Sequence, residues 1–221
     1  MSDTERLTIE RMPVTPFHQN CSLVWNPTTH EAIVVDPGGD ADAIHARMQE
    51  QGLTVVALLL THGHLDHVGG AAKLRTLLTT TQPVPPEIVG PTTHDEFLLQ
   101  SVEEQCRHFG LSDLHSVSPD RFTTDGETVE FLGHRFDVLH VPGHTPGHVV
   151  FFDSKDQVLF AGDTLFRGTI GRTDFSYGNS RQLVTAIREK LLPLGDDVTV
   201  LPGHGAPTKI GIERTRNQFL Q

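Results

Sequence analysis

Three histidines and an aspartate crowd into one short stretch, Thr61-His62-Gly63-His64-Leu65-Asp66-His67, which directly follows the apolar run at 55–60. An extended backbone through His62 and His64 would place both imidazoles on one side of the chain, because side chains alternate along a strand. Asp66 and His67 would fall on the following turn. The stretch therefore predicts two groups of metal ligands that point in different directions.

Three further strand-like runs end in a short segment that carries histidine or aspartate. These segments are Pro142-Gly143-His144, Gly162-Asp163 and Pro202-Gly203-His204. Loops that leave neighbouring strand ends commonly carry functional groups, so we expect these side chains to gather at one edge of a sheet core. The candidate ligands are His62, His64, Asp66, His67, His144, Asp163 and His204.

The chemistry of this set points to a metal centre. Imidazole and carboxylate ligands without thiolate suit zinc, iron or manganese. Seven nitrogen and oxygen ligands exceed one tetrahedral site. Shared between two ions about 3.5 to 4 Å apart, with one carboxylate bridging, they would leave positions open for water and substrate. We expect two divalent ions, zinc before iron or manganese.

The other histidines fit ordinary roles better. His148 follows His144 by four residues, at the start of an extended run, and would need an additional turn to reach the same metal. The remaining ones are predicted to be loop or core residues.

Composition excludes several classes of partner. The 221 residues carry a formal net charge of −11, which offers no electrostatic footprint for nucleic acid or an anionic membrane. Two cysteines, Cys21 and Cys106, are too few for a disulfide framework. The N-terminal stretch MSDTERLTIER has charges where an export signal needs an apolar core. We predict a cytoplasmic protein that acts on a small molecule.

The apolar patterns predict a mixed α/β chain. Short runs rich in Val, Ile, Leu and Phe, bounded by Gly, Pro or Asp, are typical of strands. Helices are predicted at 41–51, 71–78, 93–109 and 180–192, and the third opens on the capping-box spacing of Thr93 and Glu96. Strands and helices alternate only in part, so we expect many hairpins and one domain over residues 1–221.

The ordered set of motifs resembles the metallo-β-lactamase superfamily. The resemblance implies a four-layer αββα sandwich with the metals at the edge of two facing sheets. It also implies a division of the ligands: His62, His64 and His144 on one ion, Asp66, His67 and His204 on the second, and Asp163 as the bridge.

Within this superfamily the sequence is most similar to short, single-domain bacterial glyoxalase II. The stretches at 17–23, 36–39, 142–148 and 171–175 carry the similarity. Full-length members have a C-terminal helical domain that contacts glutathione, and this chain ends at Gln221 without a match to it. The resemblance therefore covers the metal chemistry and leaves the glutathione contacts unmatched.

The implied reaction is hydrolysis of a thioester such as S-lactoylglutathione by a metal-bound hydroxide that Asp66 orients. A thiolate can leave without a general acid, which suits such a site. Arg172, Tyr177 and Lys209 are candidates for substrate binding, although an ion pair between Arg172 and Asp174 is an equal alternative for that arginine.

One other activity remains open. The stretch Gly171-Arg172-Thr173-Asp174-Phe175 also resembles persulfide dioxygenases, in which His62, His144 and Asp163 would hold a single iron. The second group of ligands favours the hydrolase. A non-catalytic metal-binding protein is a further alternative, and the sequence makes no prediction of oligomeric state.

Overall fold

Two facing β-sheets, each covered by helices on its outer side, build the protein in the computed structural model, which describes residues 6–221. This arrangement confirms the mixed α/β class and the four layers. Residues 1–5, which begin the stretch used to predict the absence of an export signal, lie outside the described residues. Within residues 6–221, no helix combines the length and apolar composition that a membrane span requires.

The first sheet is partly antiparallel and partly parallel. Its first three strands pair antiparallel, and its last three pair parallel through helical crossovers. In sheet order the strands are β1 (Thr8–Val14), β2 (Gln19–Trp25), β3 (Glu31–Val35), β4 (Thr54–Leu59) and β5 (Glu87–Val89).

The second sheet brings three strand ends to one edge. Its strands are β6 (Thr128–Phe131), β7 (His134–His140), β8 (Val149–Asp153), β9 (Val158–Gly162), β12 (Thr199–Pro202) and β13 (Thr208–Lys209); β10 (Leu165–Phe166) and β11 (Thr169–Ile170) form a separate small hairpin. The sheet order is β13-β12-β9-β8-β7-β6. Strand β12 pairs parallel to β9, and two antiparallel pairings relate β9 to β7, so these three strands run in the same direction.

Seven α-helices and a few short turns of π or 3-10 type complete the structure described. A π-helical turn at Ile187–Leu191 continues the sixth helix, and 3-10 turns lie at Thr93–Asp95, Leu192–Leu194 and Gln218–Leu220. The helices are α1 (Ala41–Glu50), α2 (Leu65–Val68), α3 (Ala71–Thr81), α4 (Glu96–Leu99), α5 (Val102–Phe109), α6 (Ser180–Ala186) and α7 (Ile210–Arg216).

Burial on both faces explains why the central strands read as unbroken apolar runs. In β4, Leu58 packs towards the helices while Leu59 packs towards the second sheet. In β8, Phe151 belongs to the layer between the sheets and Val150 to the outer layer. Side chains therefore alternate between two cores, as expected for strands covered on both sides.

The predicted helix at 93–109 is wrong in its continuity. The segment begins with a 3-10 turn, continues as α4 and α5, and is interrupted between them at Gln100 and Ser101. The predicted capping box does not form, since Thr92, and not Thr93, occupies the N-cap position and its side chain makes no capping hydrogen bond. The turn instead directs the Asp95 carboxylate to backbone N–H groups of two distant loops.

Replacing Phe136 by alanine tests the layer between the sheets. Phe136 is fully buried there, so the cavity left by Phe136→Ala should lower the free energy of unfolding by about 3 to 5 kcal/mol. Phe219→Ala is the matched control, because Phe219 is 52% exposed and should change stability by only about 0.5 kcal/mol. Urea denaturation measures both, and equal effects would contradict the layered core.

Candidate metal centre

The four predicted loops meet at an edge shared by both sheets. The loop after β4 comes from the first sheet, and those after β7, β9 and β12 come from the second. Backbone bonds join them: Val149 N–H donates to Thr61 O over 2.8 Å, and Gly203 N–H donates to Gly162 O over 2.8 Å. The loops therefore lie at the edge of two facing sheets, as the resemblance implies.

Three buried imidazoles form the first group of donors. His62 Nε2 and His144 Nε2 each lie 3.0 Å from His64 Nδ1. Nitrogen ligands of a tetrahedral zinc ion, each about 2.0 to 2.1 Å from the metal, lie roughly 3.3 Å apart. The spacing in this group therefore suits a single ion.

In each ring of this group, the nitrogen that faces away from the group (the outer nitrogen) makes a hydrogen bond. That bond determines that the inner nitrogen, which faces the group, is free to bind a metal. The Thr61 hydroxyl donates to Asp36, so its oxygen can accept from His62 Nδ1 over 3.1 Å. The Arg172 carbonyl accepts from His144 Nδ1 over 2.7 Å. Because the outer nitrogens carry the protons, the Nε2 lone pairs point inward, as metal ligands require.

His64 is held in the same way by Tyr177. The His64 Nε2 atom lies 2.9 Å from the Tyr177 hydroxyl, which leaves Nδ1 facing the group. Burial and the neighbouring His144 lower the pKa of His64 to about 3, and burial also lowers the pKa values of His62 and His144. The three rings are therefore neutral and able to bind a cation.

Asp66, His67 and His204 form the second group. His204 Nε2 lies 3.2 Å from Asp66 Oδ2, and His67 Nε2 lies 4.0 Å from the same oxygen. The outer nitrogen of His67, Nδ1, donates to Asp36 Oδ2 over 2.8 Å. This group combines a carboxylate with two imidazoles, so its chemistry also suits a metal ion.

Asp163 lies between the two groups. Its Oδ1 is 3.3 Å from His67 Nε2, and its Oδ2 is 3.6 Å from His144 Nε2 and 3.7 Å from His204 Nε2. Burial alone would raise the pKa of Asp163, but the surrounding imidazoles, His67 first, hold it below its usual value. A methyl group at Gly203 would collide with Asp163 Oδ1 and the His67 ring, so glycine is needed there.

Two buried atoms of this centre lack a hydrogen-bond partner among the described residues. They are His67 Nε2 and Asp163 Oδ1. Unsatisfied buried polar atoms are costly, and a cation between them would satisfy both. The residues present therefore fit metal binding, and they form the two ligand groups that the resemblance implies.

Asp36 was not among the predicted site residues, although it supports both groups. Its Oδ1 accepts the Thr61 N–H over 2.7 Å, and its Oδ2 accepts the Thr61 hydroxyl over 2.6 Å together with His67 Nδ1. The sequence carried a signal, since Asp36-Pro37-Gly38-Gly39 also follows an apolar run. Outer partners of this kind orient metal-binding imidazoles.

His148 also belongs to the surroundings of the site. Its Nε2 accepts the Asp163 N–H over 3.0 Å, and its ring stacks on His62 with centroids 4.6 Å apart. Because that nitrogen is already used, His148 supports the ligands without joining them.

The three predicted substrate-binding residues lie in different places. Tyr177 contacts His64, as described above. Arg172 forms an ion pair with Asp174, at 2.7 and 2.8 Å, and its guanidinium lies 4.6 Å from the centre of the Phe175 ring. Lys209 is not brought to the site, because it pairs opposite Thr199 at the start of β12, whereas His204 follows the end of that strand.

Comparisons with known proteins agree with this geometry. The family model described as the metallo-beta-lactamase superfamily matches residues 14–204. The chain is 47% identical over 215 residues to hydroxyacylglutathione hydrolase GloC of Haemophilus influenzae, covering 97% of this chain and 98% of that protein.

Two solved structures are similar over nearly the whole chain. The B3 metallo-beta-lactamase BLEG-1 has a TM-score of 0.86 and 33% identity, covering 96% of this chain and 99% of that one. TTHA1623, solved in a di-iron-bound form, has a TM-score of 0.84 and 34% identity, covering 96% of this chain and 100% of that one.

His144→Ala tests the first group of donors. Zinc should raise the melting temperature of the wild-type protein above that of the chelator-treated protein, because ions that bind the folded state stabilise it. His144→Ala should weaken zinc binding about tenfold or more and reduce this shift.

His115→Ala provides the matched control, since the His115 side chain is 52% exposed and contacts Glu103. It should keep the full wild-type shift in a thermal unfolding assay. A full shift in His144→Ala would contradict metal binding by the first group.

Proposed function

The chain belongs to the metallo-hydrolases of the metallo-beta-lactamase superfamily, and we propose that it cleaves a thioester of the S-lactoylglutathione type with two divalent metal ions. The observation that supports this most directly is the pair of donor groups that share Asp163. Each group contains three side chains suited to one ion, and a shared carboxylate is typical of two-metal sites.

The ions would be held by His62, His64 and His144 on one side and by Asp66, His67 and His204 on the other. When bound, they supply Lewis acidity that lowers the pKa of water and polarises a carbonyl. Zinc is our first choice, with iron and manganese as alternatives. The di-iron form of the similar protein TTHA1623 supports a pair of ions without selecting between these metals.

In the proposed reaction, Asp66 orients the attacking water molecule and accepts a proton from it. Its side chain is 14% exposed, so the carboxylate is accessible to solvent, and His204 Nε2 lies 3.2 Å from one of its oxygens. The other oxygen can accept a proton from an attacking water molecule. Proton transfer by a positioned carboxylate typically accelerates a reaction by about 10² to 10⁴.

Tyr177 has the proposed role of donating a hydrogen bond to the substrate. When His64 Nε2–H donates to the phenol oxygen, the phenol O–H is left for another acceptor. Burial and the nearby Asp95 raise the pKa of Tyr177 to about 12, so the phenol keeps its proton at neutral pH. Its ring stacks on Phe175, with centroids 5.3 Å apart, which holds the hydroxyl in place.

A thioester is favoured by the chemistry and by the relatives. A thiolate leaves without the general acid that an amine needs, and no such acid is required of this site. GloC of Haemophilus influenzae, similar over nearly its whole length, is a hydroxyacylglutathione hydrolase. The exposed guanidinium of Arg172, stacked on Phe175 beside His64, would contact an anionic thiol carrier. We propose that this reaction takes place in the cytoplasm, without a nucleic acid or membrane partner.

Asp66→Asn tests the hydrolase. The wild-type zinc-loaded protein should release thiol from S-lactoylglutathione, and Asp66→Asn should lower kcat by at least about 100-fold because it removes a proton acceptor. Asp197→Asn, at a side chain that is 97% exposed, should retain the wild-type rate.

The same assay separates the competing activities. A protein that releases no thiol, binds one iron and consumes oxygen with glutathione persulfide would be the dioxygenase. A protein that binds metal and turns over neither substrate would be a binding protein. Asp66, His67 and His204 support the hydrolase, since a mononuclear site would not use them.

Tyr177→Phe tests the hydroxyl without removing the ring. The stack on Phe175 should persist, while the contacts to His64 and to the substrate are lost. We expect kcat/KM for S-lactoylglutathione to fall about tenfold, in line with about 1.5 kcal/mol for one hydrogen bond. Thiol release over a range of substrate concentrations measures this. An unchanged kcat/KM would contradict the proposed contact between the Tyr177 hydroxyl and the substrate.

A further inference from the structure

We propose that Asp95 is a positioning residue for the first group of donors. It joins the loop that carries His62 and His64 to the loop that carries His144. This inference rests on the proposed metal-binding function. Asp95 is fully buried and follows β5, outside all four ligand loops.

The Asp95 carboxylate accepts three hydrogen bonds. Its Oδ2 accepts the Gly63 N–H over 2.9 Å and the Thr145 hydroxyl over 2.7 Å. Its Oδ1 accepts the Gly147 N–H over 2.5 Å. One buried charge is thus satisfied by donors from two separate loops.

These donors lie immediately beside the ligands. Gly63 stands between His62 and His64 in sequence, and Thr145 follows His144. The first loop leaves the first sheet and the second loop leaves the second sheet. Movement of either loop away from the other would therefore separate His144 from His64, and it would also break a bond to Asp95.

Close packing at both loops makes this arrangement specific. A methyl group at Gly147 would lie 2.5 Å from Asp95 N and 2.7 Å from Asp95 Cγ, and one at Gly63 would lie 2.5 Å from Leu98 Cβ. Glycine at these two positions therefore lets the turn that carries Asp95 approach the ligand loops.

A carboxylate is required for this role. Asparagine has one acceptor oxygen and one NH2 group, so Asp95→Asn would place a donor against at least one of the donors that Asp95 now accepts from. Buried charges are expensive, and an apolar residue would often serve stability equally well. The presence of a charged residue here therefore indicates that the carboxylate fixes the positions of the loops that donate to it.

Zinc titration of the metal-free protein against a chromophoric chelator tests the proposal. The wild type should bind zinc in two steps. Asp95→Asn should weaken one step by about 10- to 100-fold, the usual effect of losing an outer partner of a ligand, and leave the other step unchanged. His67 and His204, which belong to the second group of donors, form no hydrogen bond with Asp95 among the described residues.

Variants of Thr145 keep the test decisive if Asp95→Asn does not fold. Thr145→Val removes one of the three bonds and should weaken the same step by a smaller factor. Thr145→Ser retains the hydroxyl and should restore wild-type zinc affinity.

Glu213→Gln is the matched control. Glu213 is also buried and accepts the Gly168 N–H and the Thr208 hydroxyl, and none of the hydrogen bonds that it forms within residues 6–221 involves a predicted ligand. It should bind zinc as the wild type does. Wild-type zinc affinities in Asp95→Asn and Thr145→Val, or equal weakening in Glu213→Gln, would overturn the role of Asp95. A wild-type protein that takes up no zinc would instead contradict the proposed function itself.

Discussion

The buried carboxylate of Asp163 is the group around which the site is organised. Burial of a charge is unfavourable unless opposite charges or donors surround it. Asp163 meets imidazoles from both donor groups, at 3.3 to 3.7 Å, and one of its oxygens has no hydrogen-bond partner among the described residues. Positive charge held by both groups at once would satisfy this carboxylate, so the loops must be held where both groups reach it.

Hydrogen bonds from several elements meet that demand. Asp36 anchors His67 directly and His62 through Thr61, while a backbone carbonyl anchors His144. Asp95 ties together the loops from the two sheets. The imidazoles of His62, His64, His67 and His144 therefore have their outer nitrogens occupied, and their inner nitrogens are oriented before any ion binds. Preorganisation of this kind explains why the site needs two sheets: neither sheet alone supplies all the loops.

The sequence predicted what is local and missed what is distant. Strand ends followed by Gly-His or Gly-Asp are visible in a few neighbouring residues, and the structure brings all seven predicted ligands together. Asp95 could not be found this way, because its partners lie 32 and 52 residues away and its own segment has the pattern of a continuous helix. The sequence also gives little sign of strands β1 and β5, because a half-exposed strand or one of three residues shows little apolar pattern.

The reacting centre and the proposed substrate contacts differ in how their charged groups are held. The centre is fixed by buried bonds, whereas the cations named for substrate binding already have carboxylate partners: Arg172 pairs with Asp174, and Lys209 lies 3.7 Å from Asp197. Arg172 uses Nε and one terminal nitrogen on Asp174, so its other terminal nitrogen remains for an anion. Because the net charge is −11, an anionic thiol carrier must be attracted by local cations such as Arg172. For this reason the proposed function names a class of thioester substrates and not one compound.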